Sequence, residues 1–175
     1  MRIVAIFAPA LYSICPHEGD GRTAFDIAMD NWTDINWLKS FAEANGVNDV
    51  RRFVERRRDE AEQLGRLVVE IADGDGVFEQ LFRPLRNDEL HTPLLGKRKA
   101  RLDQRGQRYR CDLRLYAVRI DENVFTITGG AIKMSQAMQD HPNTAQALRD
   151  LDVTRRYLQE HGVVDDSGFY EIVSH

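Results

Sequence analysis

The chain has few of the features that would cross-link it or anchor it in a membrane. It contains two cysteines, Cys15 and Cys111, whose separation matches no metal-ligand motif. A disulfide between them remains open, and free thiols in a reducing compartment are the expected state. No apolar run approaches the roughly 20 residues of a membrane-spanning helix. We therefore expect a soluble, cytoplasmic protein with no membrane partner.

The sequence also lacks the motifs of common cofactor sites. It has no Walker loop, no glycine fingerprint for dinucleotides and no zinc spacing. Gly19-Asp20-Gly21 and the acidic glycine run at 73–76 lack the twelve-residue ligand pattern of a calcium loop and predict turns. Arg2 and the apolar stretch after it faintly resemble a secretory leader, but the cleavage-like Ala8-Pro9-Ala10 comes too early, and a first buried strand is the better interpretation. We expect no metal and no cofactor.

Lysine is scarce and basic charge is unevenly distributed. Of the 24 basic residues, 20 are Arg and 4 are Lys. Residues 97–119 hold nine of them against Asp103 and Asp112, a net charge of +7, whereas the whole chain carries −4 and the remainder therefore −11. Because like charges repel, such clustering indicates a surface for phosphate or for an acidic partner. The predicted binding residues are Lys97, Arg98, Lys99, Arg101, Arg105, Arg108, Arg110 and Arg119.

Helical periodicity predicts three helices ahead of this basic segment. Residues 23–32 form the first, and Thr33 and Gly46 mark the start and end of the second. The third runs from a cap at Asn48 to about residue 73. It forms a hairpin with the second, and its inward stripe is Val50, Val54, Arg57, Ala61, Leu64, Val68 and Ile71.

Strand patterns lie at the start of the chain and in its second half. Residues 2–8 predict a buried strand, and 9–22, rich in Pro and Gly, predict a loop. Residues 108–120 and 123–128 predict two strands joined by a tight turn at Asp121-Glu122.

The intervening and final segments show weaker patterns. Gly129-Gly130 predicts a break or bulge, after which the strand continues to Lys133. Residues 83–96 predict irregular structure. A last helix begins at Pro142 and ends at Gly162, and the tail to residue 175 predicts a partly ordered extension. Strands that follow a helical hairpin predict an α+β domain with a small antiparallel sheet.

Several segments resemble the RelE/ParE superfamily of small bacterial toxins, within it the HigB-like branch. Phe82-Arg83-Pro84-Leu85 is similar to the segment before the toxin sheet, and 113–120 to its central Arg-bearing strand. Residues 125–133 are similar to the next strand with its terminal lysine, followed by a Pro142-initiated helix. The resemblance, mainly over 78–162, implies one RelE/ParE-like domain with an added region at 9–46 and an added tail.

The resemblance implies a toxin of a bacterial toxin–antitoxin system. Many members of the superfamily cut mRNA on the ribosome, whereas one branch inhibits DNA gyrase. The implied partners are RNA or the ribosome and a cognate antitoxin protein that covers the basic surface. The leading hypothesis is an endoribonuclease, and the alternatives are a gyrase inhibitor and a non-catalytic module that binds nucleic acid or protein.

RNA cleavage by 2′-hydroxyl attack needs a base, cations for the phosphate and an acid for the leaving oxygen, without metal. Strand periodicity places Arg114 and Tyr116 on one polar face, together with Arg110 and Asp112, opposite an apolar face of Leu113, Leu115 and Ala117. Lys133, beyond a glycine pair that admits close backbone approach, could reach the same phosphate. The predicted catalytic residues are Arg114, Tyr116 and Lys133.

Each of these residues also has a structural interpretation. Charged residues on an exposed strand face commonly form cross-strand ion pairs, and a glycine pair can mark a bulge. Residues 97–108 can be a solvated loop. His91 and His141 are possible bases, but each lies near a proline in a predicted loop.

Overall fold

The structure is a computed structural model that describes residues 1–17, 19–85, 95–100, 111–134 and 141–173. The elements in chain order are β1 (Arg2–Phe7), β2 (Leu11–Cys15), α1 (Ala24–Thr33), α2 (Ile35–Ala44), α3 (Val50–Ala72), α4 (Phe78–Leu81), β3 (Phe82–Pro84), β4 (Lys97–Ala100), β5 (Leu113–Asp121), β6 (Val124–Ile132), α5 (Pro142–Glu160) and α6 (Asp166–Val173).

The strands form one six-stranded sheet in the order β1-β2-β6-β5-β4-β3. All neighbouring strands are antiparallel except β2 and β6, which are parallel. The α+β class predicted from the sequence is confirmed. The sheet is larger than predicted and is mixed, because β2 enters it beside β6.

Strand β2 corrects the prediction of a loop over residues 9–22. All five of its residues are buried. A strand that is covered on both faces and paired on both edges needs no alternation of polar and apolar residues, so the usual strand signal is missing. The prolines Pro9 and Pro16 flank the strand instead of interrupting it.

The helical hairpin forms as predicted, with caps shifted by one residue. Thr23 caps α1 with a reciprocal bond to Asp26. Asp34, not Thr33, caps α2, and Asp49, not Asn48, caps α3. Gly46 between the two helices has a φ of 66°, a left-handed conformation that glycine adopts without steric cost.

The inward stripe of α3 is confirmed at six of its seven predicted positions, and Val50 is half-buried. The helix ends at Ala72, close to the predicted residue 73. The stripe also contains Glu60, which the sequence pattern did not single out.

Helices cover both faces of the sheet. On the first face, Leu113, Leu115 and Ala117 of β5 pack in one cluster with residues of α1, α2 and α3. On the second face, Tyr116 and Val118 pack in a separate cluster with residues of α5 and α6. The apolar face predicted for β5 is therefore confirmed, whereas the opposite face is also a core.

The hairpin of β5 and β6 turns one residue later than predicted. Asp121 pairs with Val124, so Glu122 and Asn123 form the turn. Asn123 has a φ of 55°, which asparagine tolerates better than most residues. The register shifts twice, between Tyr116 and Ala117 and between Arg119 and Asp121. The first shift adjoins Gly129, where a break or bulge was predicted, and β6 continues to Ile132.

The tail contains a helix where a partly ordered extension was predicted. Phe169 of α6 is buried, and its ring meets Tyr12 of β2 edge-on at 4.9 Å between centroids. This contact closes the second core at the β2 side of the sheet.

Candidate functional site

The basic segment is not a single exposed surface. Residues 97–100 form strand β4, which corrects the prediction of a solvated loop for that part. The Lys97 ammonium contacts Asp152 of α5 at 2.5 Å, and the Arg119 guanidinium contacts Glu79 at 2.7 Å. These two cations are therefore matched by acids that lie far away in the sequence.

Three further cations of the segment bind backbone carbonyls. Arg98 is 2% exposed and donates to its neighbour Lys97, at 3.1 Å. Lys99 donates to the carbonyl of Leu85 at 3.3 Å. Arg114 donates twice, as described below. Each of these residues in the described part of the segment therefore has an intramolecular partner, and their role in phosphate binding stays a prediction. Arg101, Arg105, Arg108 and Arg110 lie outside the described residues.

The predicted catalytic face of β5 is buried. Tyr116 is 0% exposed, and burial raises the pKa of its hydroxyl to about 12. Arg114 is 6% exposed and donates to the carbonyls of Cys111 and Leu113, both at 2.7 Å. The prediction of an exposed polar face is wrong, because both side chains are buried and Tyr116 packs in one core with residues of α5.

The glycine pair of β6 accommodates a side chain of the protein. A Cβ atom on Gly130 would lie 2.6 Å from two ring carbons of Trp32 and 2.9 Å from the Cβ of Ala28. Gly130 thus lets α1 approach the sheet closely. The prediction that the glycine pair admits RNA backbone is wrong at Gly130, because Trp32 and Ala28 of α1 fill the space beside it. Around Gly129 the corresponding space is empty within 4 Å.

Lys133 is the one predicted catalytic residue that solvent reaches. It follows β6 directly and is half-buried. Its backbone N–H donates to the carbonyl of Asp112 at 2.7 Å, which fixes it beside the start of β5. Within the described ranges its ammonium group makes no hydrogen bond or ion pair.

A buried charge network lies beside Lys133. Arg57 of α3 donates to Glu60 at 2.6 Å and to the carboxylate of Asp112 at 2.7 Å. Glu60 also accepts from the backbone N–H of Asp112 at 3.4 Å. We call Arg57, Glu60, Asp112 and Lys133 the sheet-end cluster.

Burial dominates the electrostatics of this cluster. Glu60 is 0% exposed, and desolvation of its charged form raises the pKa of the carboxyl despite the nearby Arg57. Glu60 was missed from the sequence. Arg57 on the apolar stripe of α3 could have indicated Glu60. A buried guanidinium needs an acidic partner, and Glu60 lies one turn further along the same face of the helix.

His141 has a structural role at the start of α5. Its Nδ1 accepts from the backbone N–H of Asn143 at 3.3 Å, so the proton is assigned to Nε2, which donates to Asn45. The amide of Asn143 in turn pairs with both backbone groups of Ile132. Both ring nitrogens therefore make hydrogen bonds within the fold. These bonds connect the end of α2 to the start of α5 and, through Asn143, to β6. His91 lies outside the described residues.

A row of aromatic rings leads to this region along the α2–α3 hairpin. Trp37 and Phe41 stack at 5.3 Å between centroids, and Phe41 and Phe53 stack at 6.1 Å. The guanidinium of Arg57 lies 5.2 Å from the centre of the Phe53 ring, and His141 lies 6.0 Å from Phe41. We call Trp37, Phe41 and Phe53 the aromatic row.

Chemically, the region offers the accessible cation Lys133, the buried acid Glu60 with a raised pKa, and a set of stacked aromatic rings. Among the described residues no group of three His, Cys, Asp or Glu side chains is placed to hold a metal ion. None of the helices in those ranges is long and apolar enough to cross a membrane.

No family model matches the chain, and no curated protein or solved structure is significantly similar to it. The resemblance to the RelE/ParE superfamily therefore stays a prediction from the motifs quoted above.

Proposed function

We propose that the chain is the toxin of a bacterial toxin–antitoxin pair and acts on RNA at the sheet-end cluster. The observation that carries the proposal is the ammonium group of Lys133 at one end of the sheet, which makes no hydrogen bond or ion pair within the described ranges. A lysine at the end of this strand is also part of the resemblance to the HigB-like branch.

The course of the chain supports the same location. Ala100 is opposite Leu115 near the start of β5, and Leu113 is opposite Ile132. Ala100 and Cys111, the described residues on either side of 101–110, therefore lie at the end of the sheet that carries Lys133. In sequence, residues 101–110 hold four Arg and one Asp, a net charge of +3. Cationic residues near one another favour contact with a phosphate backbone.

In this proposal Lys133 binds the phosphate at which an RNA 2′-hydroxyl attacks. Cations that stabilise the charge of the transition state account for much of the catalysis in such a reaction. Arg114 and Tyr116 hold β5 in the sheet and make no contact with substrate. The toxin would act in the cytoplasm, and an antitoxin would cover the cationic end of the sheet.

The burial of Arg114 and Tyr116 favours a second candidate, a module that binds RNA or protein without cleaving it. Such a toxin would block its target by occupancy, as a gyrase inhibitor also would. Growth inhibition with intact mRNA would identify this class.

The test is inducible expression in bacteria of the wild type and of Lys133→Ala, without any partner gene. We expect the wild type to slow growth and fragment mRNA, and Lys133→Ala to relieve both effects. Arg156→Ala is the matched control, because Arg156 is exposed on α5, away from the sheet-end cluster. If the wild-type protein is expressed in soluble form and growth is unaffected, the toxin proposal is refuted.

Binding in vitro gives a second measurement. If Lys133 and the four arginines of 101–110 engage phosphates, each contributes about −0.7 to the slope of log affinity against log salt for a single strand. A fourfold rise in monovalent salt would then weaken binding roughly a hundredfold. A salt-independent affinity would exclude a phosphate-binding surface.

A further inference from the structure

The aromatic row is only partly covered by the fold. Leu38 and Ala42 of α2 are fully buried. Trp37, Phe41 and Phe53 pack against the first core but are half-buried, so part of each side chain faces solvent. The hairpin thus presents a set of partly accessible aromatic side chains.

The rings are arranged as a platform. Trp37 and Phe41 deviate from parallel by 19°, and Phe41 and Phe53 by 12°. Near-parallel rings at these distances form a stacked set that a further flat ring could extend. Nucleobases bind such faces by stacking, with little dependence on sequence, because every base has a flat π surface.

An exposed cation lies next to the platform. Arg57 lies against the Phe53 ring from inside the fold, but its charge is matched by Glu60 and Asp112. Arg52, the neighbour of Phe53 in sequence, is exposed, and its side chain makes no ion pair within the part of the chain that the structure describes. At the other side Phe41 meets His141, which is connected through Asn143 to Ile132, the residue before Lys133. Aromatic faces flanked by cations match the base and phosphate of one strand.

We infer that the aromatic row binds unpaired bases of single-stranded RNA while Lys133 holds an adjacent phosphate. This inference rests on the proposed function and assigns its substrate as unpaired RNA. Trp37, at the end of the row away from Phe53, would be the main stacking residue, since an indole offers the largest face. Paired bases stack within their own duplex, so the row would discriminate against double-stranded RNA.

The test compares two probes, a 12-nucleotide oligoadenylate RNA and inorganic polyphosphate, which has the charge but no bases. We expect Trp37→Leu to weaken binding of the RNA about tenfold and to leave polyphosphate binding unchanged. Trp37→Phe should recover part of the loss. Lys133→Ala should weaken binding of both probes.

Tyr157→Leu serves as the matched control, because Tyr157 is an equally half-buried aromatic residue on α5, over the second face of the sheet. It should bind RNA as the wild type does. If Trp37→Leu does not fold, the fluorescence of the wild type is measured instead. Trp32 is 2% exposed, so the tryptophan emission that iodide quenches comes from Trp37. A decrease in this emission when oligoadenylate is added reports stacking on Trp37.

The possible results separate the two proposals. Equal RNA affinity of Trp37→Leu and wild type, with a loss in Lys133→Ala, would overturn the stacking role and leave the proposed function standing. Unquenched Trp37 emission in a protein that binds the RNA would do the same. Failure of the wild type to bind RNA at low salt would overturn both.

Discussion

A single methyl group added at Gly130 should destabilise the protein. In Gly130→Ala the new Cβ would lie 2.6 Å from carbons Cζ2 and Cη2 of Trp32, whereas non-bonded carbons pack at about 3.5–4.0 Å. Roughly 1 Å must therefore be recovered by moving α1 or the indole, and Trp32 is almost fully buried. Overpacking of this kind costs about 1–3 kcal/mol.

Gly129→Ala is the matched control in the same strand. No atom lies within 4 Å of its added Cβ, and its φ is not in the left-handed region. It should be neutral or stabilise the fold by up to about 1 kcal/mol, because alanine restricts the unfolded chain. Urea denaturation measures both variants, and for a chain of this length 1 kcal/mol corresponds to about 2–4 °C in Tm.

A double-mutant cycle identifies the cause. Trp32→Leu in the Gly130→Ala protein should cost less than Trp32→Leu alone, because the smaller side chain relieves the clash. Equal stability of Gly129→Ala and Gly130→Ala would show that α1 does not pack against β6 in this way. Additive effects in the cycle would refute the contact between Trp32 and Gly130 as the reason.

Three further predictions concern the cores and the charge network. Leu115→Asp should cost about 3–5 kcal/mol in denaturant unfolding, because its charge would be buried without a partner, and an unchanged midpoint would contradict the face assignment. Tyr116→Phe should retain full growth inhibition, since a side chain with no exposed surface makes no contact with substrate; loss of toxicity in a folded variant would restore its catalytic role. Glu60 has a raised pKa, so the folded state keeps this proton to higher pH than the unfolded state does. The stability of wild type relative to Glu60→Gln should therefore be greatest below about pH 4.5 and fall as pH rises through the folded-state pKa, and a constant difference would argue against this assignment.

Local sequence patterns were sufficient where the physical cause is local. The inward stripe of α3 follows from helical periodicity, and Leu113, Leu115 and Ala117 follow from strand alternation. The caps were identified within one residue because their side chains bond to backbone groups two or three positions away. The α+β class follows from the order of these elements.

The remaining features depend on contacts between segments that are distant in sequence. Strand β2 has no alternation because it is covered on both faces, and no neighbouring residue signals that cover. Arg114 and Tyr116 were predicted to be exposed, but both are buried. The helix that packs over this face of β5 begins only at Pro142, so the strand pattern itself contains no sign of it. A polar residue in a strand pattern does not reveal whether a later helix will cover it.

The charge distribution shows the same division. The net charge of +7 over residues 97–119 can be counted from the sequence alone. The fold sets the partners of these charges: Lys97 contacts Asp152, Arg119 contacts Glu79, and Lys133 has no partner among the described residues. Composition fixes how many charges a chain has, but their solvation and their partners are set by which surfaces the fold brings together.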